Sequence, residues 1–125
     1  LGEVIEALQI PNASAVHARA EEFGHREMFD LAVSRAVARL NVLAELSLPL
    51  VRVGGRFLAM KADDCAKELD EARHAVSLLG GDVEEVRGYT VPKTGLCRKL
   101  VVIRKIAETP AKYPRRYAKI SAQPL

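Results

Sequence analysis

The chain has 125 residues, nineteen Lys and Arg against sixteen Asp and Glu, and 49% hydrophobic residues, which is the size and composition of one domain with a real hydrophobic core. No apolar run approaches the ~18 residues of a membrane span, and the first residues lack the charged-then-apolar layout of a signal peptide, so a soluble, cytoplasmic protein away from the membrane is expected. The charge excess is segregated: residues 1–106 hold fifteen basic and fifteen acidic side chains, and residues 107–125 hold four and one.

Leu1 to Leu8 starts without an initiator methionine or a capping residue, and Val4, Ile5 and Leu8 already form a helical stripe; the chain is expected to be part of a longer protein. Pro11-Asn12 ends that helix, Ala13 to Arg19 reads as a short strand, and Ala20 to Gly24 leaves it as a polar turn. Phe29, Leu31 and Val33 mark a buried strand running to Ser34. An apolar stripe at Val37, Leu40, Leu43, Ala44 and Ser47 then predicts a helix, interrupted at Pro49. Arg35 falls at the strand-to-helix turn. In open parallel sheets ligands bind beyond the carboxyl ends of the strands, which makes Arg35 a candidate ligand contact; the competing reading is an arginine held by solvent or a neighbouring carboxylate at the start of the helix.

Gly54-Gly55 reads as a tight turn into the strand Arg56 to Met60, with Lys61 at its carboxyl end. Asp63 or Asp64 can cap a helix with the stripe Ala66, Leu69, Arg73, Val76 and Leu79, which Gly80-Gly81 stops. Two strands follow, Val83 to Val91 and Lys99 to Ile106, and the seven residues between them are too few for a crossover helix. They should pair antiparallel, while the earlier strands, separated by helices, should be parallel. The tail from Ala107, with Pro110, Pro114 and Pro124, is expected to be extended or mobile without regular structure. Cys65 and Cys97 show no clustered spacing and read as free thiols, and His17, His25 and His74 are too dispersed to suggest a metal site.

Five pieces in order carry a resemblance: Arg19-Ala20-Glu21; Phe29-Asp30 with Ser34 to Leu40; Gly55 to Lys61; Arg98 with Leu100 to Lys105; and Tyr113-Pro114-Arg115. In these the chain resembles the C-terminal half of the bacterial 16S ribosomal RNA guanine-N7 methyltransferase G family, also called glucose-inhibited division protein B. The resemblance implies an α/β class I methyltransferase fold, a Rossmann-like sheet of parallel strands with a C-terminal antiparallel hairpin, lacking its N-terminal part. It further implies S-adenosyl-L-methionine as cofactor, 16S ribosomal RNA or the small ribosomal subunit as partner, and cofactor contacts from Ala20, Glu21 and Arg35. The division expected is a methyltransferase domain over residues 1–106 and a basic extended tail over 107–125.

The family's glycine-rich first turn and ribose-binding acid would precede Leu1, so the isolated chain is expected to bind cofactor weakly, to be inactive and to fold poorly. No general base is required, because guanine N7 carries a free lone pair and the reaction can be driven by positioning. Candidate RNA contacts are Arg39, Lys61, Lys112, Arg115, Arg116 and Lys119, with Tyr113 and Tyr117 interleaved for base stacking. Arg104 and Lys105 read instead as the exposed end of an edge strand. Two other readings stay open at this point: a small-molecule methyltransferase of the same sheet type, and a non-catalytic RNA- or protein-binding module.

Overall fold

The computed structural model describes residues 1–35 and 38–125. Its elements in chain order are α1 (Gly2–Ala7), a 3-10 turn (Ala20–Glu22), β1 (Phe29–Arg35), α2 (Leu40–Ser47), a 3-10 turn (Leu48–Leu50), β2 (Val51–Ala62), α3 (Ala66–Leu78), β3 (Gly81–Thr90), β4 (Cys97–Lys105) and α4 (Tyr117–Ala122). The four strands form one sheet in the order β1-β2-β4-β3. β1 and β2 run parallel, joined through α2, and β4 returns antiparallel between β2 and β3. This is the parallel sheet with an antiparallel finish that the connection lengths require.

Among the described residues, the helices cover one face of the sheet. The row Ala32, Phe57, Ile103 and Val83 lies side by side across the four strands, and Phe57 and Ile103 are fully buried together with Leu40, Leu43 and Ala44 of α2 and Leu69, Ala72 and Val76 of α3. Each large side chain buried there contributes about 1.5–3 kcal/mol. No described helix packs on the opposite face. Leu31 and Val33, expected to be buried, are 50% and 53% exposed, because β1 is an outer strand and both long helices pack on the other side of the pleat.

Four other expectations are corrected. No strand forms over residues 13–19, since no described strand runs alongside to pair its backbone. Gly54-Gly55 does not precede β2 but lies within it: Phe29 pairs with Val51 and Leu31 already with Arg56, so β2 carries the extra residues of an irregularity. Gly54 takes φ +91°, and a Cβ on Gly55 would stand 2.6 Å from the Asp30 carbonyl oxygen, so both positions demand glycine. The residue at the N-cap of α3 is Cys65 rather than Asp63 or Asp64, and it makes no side-chain cap. Val37, expected on the stripe of α2, lies outside the described residues.

The tail is the fourth correction. It carries α4, and Thr109, Tyr113 and Ile120 are buried. Its start is tied to the end of α3, where Gly80 adopts φ +88° and accepts the Ile106 and Ala107 amides at 2.8 and 3.1 Å, while the Thr109 hydroxyl donates to Leu79 O at 2.6 Å. Arg26 then donates to the carbonyls of Thr109 (2.5 Å), Pro110 (2.9 Å) and Tyr113 (2.5 Å). Prolines deny the segment a ladder of its own; side chains from elsewhere in the fold satisfy its backbone instead. No described helix is long and apolar enough to cross a membrane.

Candidate functional site

Arg35 is the last residue of β1 and is exposed. It pairs in register with Met60, the residue before Lys61 at the end of parallel β2. The two strand ends therefore form one rim, the place where open α/β sheets hold their ligands. Lys61 does not reach out from that rim. Its ammonium is buried against Glu68 of α3 (2.5 Å) and the Ala38 carbonyl (2.6 Å). The expected RNA contact at Lys61 is thus corrected: an inward ion pair with a backbone partner occupies the charge. Lys105, expected at the exposed end of an edge strand, is corrected as well. β4 is an inner strand, and the Lys105 ammonium is fully buried, donating to Leu48 O (2.6 Å) and Val51 O (2.9 Å) with Glu27 at 3.5 Å. Burial lowers its pKa from the ordinary lysine value, partly opposed by Glu27. Arg104, by contrast, is exposed.

Ala20 and Glu21 sit in the first 3-10 turn, which packs against α2. The Glu21 side chain is 6% exposed, with Arg19 at 4.0 Å. A groove of about 510 Å³ runs between this turn and the tail, lined by Arg19, Glu21, Arg116 and Tyr117 among others. Of the three residues expected to hold the cofactor, Glu21 alone lines this groove; Ala20 is half-buried in the same turn and Arg35 stands at the strand rim.

The remaining basic residues divide by environment. Arg115 is taken up by Glu45 of α2, a fully buried carboxylate that receives the Arg115 backbone amide (2.8 Å) and both its Nε (3.0 Å) and Nη2 (2.6 Å). The bond to Glu45 raises the Arg115 pKa. Arg115 is therefore corrected from phosphate contact to internal clamp, because neither partner can leave without stranding the other's charge. Tyr113 is buried and cannot stack on a base. Arg39 is exposed and paired with Glu71. Lys112, Arg116 and Lys119 are exposed, as is Tyr117 at 41%.

Cys65 and Cys97 are free thiols. Burial pushes the Cys65 thiol up, the wrong direction for a thiolate nucleophile. The partners Glu27, Glu45 and Glu68 were missed in the sequence. Only Glu45 left a signal there, as one carboxylate in the apolar run Leu40 to Leu48.

Residues 1–101 match the family model described as rRNA small subunit methyltransferase G. The chain is 45% identical over its whole length to ribosomal RNA small subunit methyltransferase G of Acetivibrio thermocellus and to that of Lactobacillus johnsonii, covering 53% and 54% of them. It thus spans about half the length of the curated relatives it matches. Among solved structures it superposes on M. jannaschii TYW2 in complex with AdoMet (TM-score 0.63, 11% identity, 83% of this chain and 51% of that one). It also superposes on an rRNA methylase from Streptococcus thermophilus (TM-score 0.54, 20% identity, 84% and 64%). The sheet is accordingly that of the class I methyltransferases, and the chain belongs to the rRNA small subunit methyltransferase G family.

Proposed function

We propose that this chain is the C-terminal portion of an S-adenosyl-L-methionine-dependent enzyme that methylates guanine N7 in 16S ribosomal RNA of the small subunit. The observation that carries this is family membership over 1–101 together with an exposed arginine at the carboxyl end of β1. The residues present suit the cofactor's chemistry: a carboxylate largely shielded from water at Glu21 can accept from an amino group, and the exposed Arg35 guanidinium can hold an acceptor at the sheet rim. The cofactor, when bound, supplies an electrophilic methyl group. Ala20 and Glu21 would hold its adenine end and Arg35 would border it. The nucleophile is the N7 lone pair, so what these side chains contribute is alignment rather than proton removal.

In a full-length protein, Arg35→Ala should lower cofactor affinity or turnover at least about tenfold, equivalent to about 1.4 kcal/mol of transition-state stabilisation. Because Arg35 is exposed, the melting temperature should hardly move. Unchanged binding and rate in calorimetry and kinetics would remove Arg35 from the site.

For RNA the reading keeps Arg39, Lys112, Arg116 and Lys119 as phosphate contacts, supported by their exposure and by the charge excess of residues 107–125. Neutralising Arg116 and Lys119 together should flatten the dependence of log K on log salt by roughly 0.7 to 0.9 per lost contact, with cofactor affinity intact. This double variant is a cleaner probe than deleting the tail, which would also remove buried Tyr113 and Ile120. An identical salt slope would assign the charge to solubility alone.

A further inference from the structure

Three charged side chains converge on residues 38–40, the described residues that lead into α2. Lys61, from the end of β2, donates to the Ala38 carbonyl at 2.6 Å and to Glu68 Oε1 at 2.5 Å. The same Glu68 oxygen accepts the Leu40 amide at 2.6 Å, and Glu71, one turn further along α3, pairs with Arg39. The side chains of Lys61 and Glu68 are 4% and 22% exposed.

Part of this is ordinary helix chemistry. Arg39 at the N-cap of α2 offers no side-chain cap, and Glu68 satisfies the orphan amide of the first helical residue from a different element. Capping needs only the carboxylate, however. The lysine adds a second grip, on a carbonyl two residues upstream of the helix start, and takes it from the very strand that neighbours Arg35 in the sheet. A buried ammonium held by one carboxylate and one carbonyl cannot shift without leaving charge unpaired in a low-dielectric setting. Residues 38–40 are thereby tied to the carboxyl end of β2 and the first turn of α3.

We propose that Lys61 and Glu68 form a latch that positions Arg35 at the cofactor rim, so that both act as positioning residues for methyl transfer. The proposal rests on the assignment of Arg35 to the cofactor site. It gives buried Lys61 a role in the reaction with no contact to RNA.

A double-mutant cycle in a full-length protein tests it, with the dissociation constant of S-adenosylhomocysteine read by titration calorimetry. Lys61→Met and Arg35→Ala should each weaken binding about tenfold, and the double variant should lose about tenfold as well, not a hundredfold, because a latch has nothing left to position once Arg35 is gone. A merely structural role for Lys61 would move the melting temperature and leave the two losses multiplicative. That multiplicative result overturns the latch while the cofactor-site reading stands. Unchanged affinity in Arg35→Ala alone overturns the site reading and the latch with it. Where Lys61→Met fails to give a cooperative melt, Glu68→Gln, which keeps an oxygen for the Leu40 amide, runs the same cycle with the same expected coupling.

Discussion

Arg115→Ala should destabilise the protein by about 3–5 kcal/mol, the usual consequence of removing one partner from a buried ion pair. The loss arises mainly at Glu45, which is fully buried on α2 and would keep only the Arg115 backbone amide. Arg115 also donates to the Gln123 carbonyl at 3.0 Å, so the variant frees the end of the tail as well as its middle. Arg115→Lys should recover little, since an ammonium cannot reproduce the fork that meets both carboxylate oxygens. Glu45→Gln combined with Arg115→Ala should cost clearly less than Arg115→Ala alone, because the stranded charge is gone. Urea unfolding of the four proteins measures this. Equal midpoints for wild type and Arg115→Ala would return Arg115 to the set of free phosphate contacts.

Lys105→Met should cost about 2–5 kcal/mol at neutral pH. The thioether leaves the Leu48 and Val51 carbonyls without their donor, and a buried unsatisfied polar group costs about 1–3 kcal/mol. The pH dependence has a definite sign. Burial lowers the folded-state pKa of Lys105 below the unfolded value of about 10.4. Between the two, the unfolded chain binds more protons, so the wild type gains stability relative to the variant as pH rises. Below the folded pKa the cost of burying the charge applies in full and the difference is flat. Denaturant titrations at neutral and alkaline pH would detect the gain; a difference that shrinks with rising pH would show that Lys105 is not held in a desolvating site.

The cofactor-rim and RNA proposals rest on side chains that the sequence offers as candidates from local position alone. Arg35 ends a run of strand residues before an apolar helical stripe, and that position alone makes it a candidate. Lys61 and Arg115 were misread for the converse reason. Lys61 has Asp63 and Asp64 close by in sequence, yet the carboxylate that takes it up is Glu68 of α3, and the partner of Arg115 is Glu45, from a helix seventy residues upstream. Basic residues concentrated in a proline-bearing tail look like a free arm until the buried acceptor is seen.

The sequence alone dictates the succession of elements from β1 to β4 and the sense in which those strands run. Hydrophobic periodicity and connection length are properties of short stretches, and they do not depend on what lies across the sheet. Tertiary structure alone decided the fate of everything whose state depends on a distant partner. Residues 13–19 have the composition of a strand but no described strand beside them, no described helix lies over Leu31 and Val33 of β1, and Lys61, Lys105 and Arg115 are structural because carboxylates and carbonyls of other elements desolvate and hold them. The physical reason is common to all of them. A backbone amide, an apolar face or a charge settles by exchanging water for a specific partner, and only the folded chain says whether that partner is there.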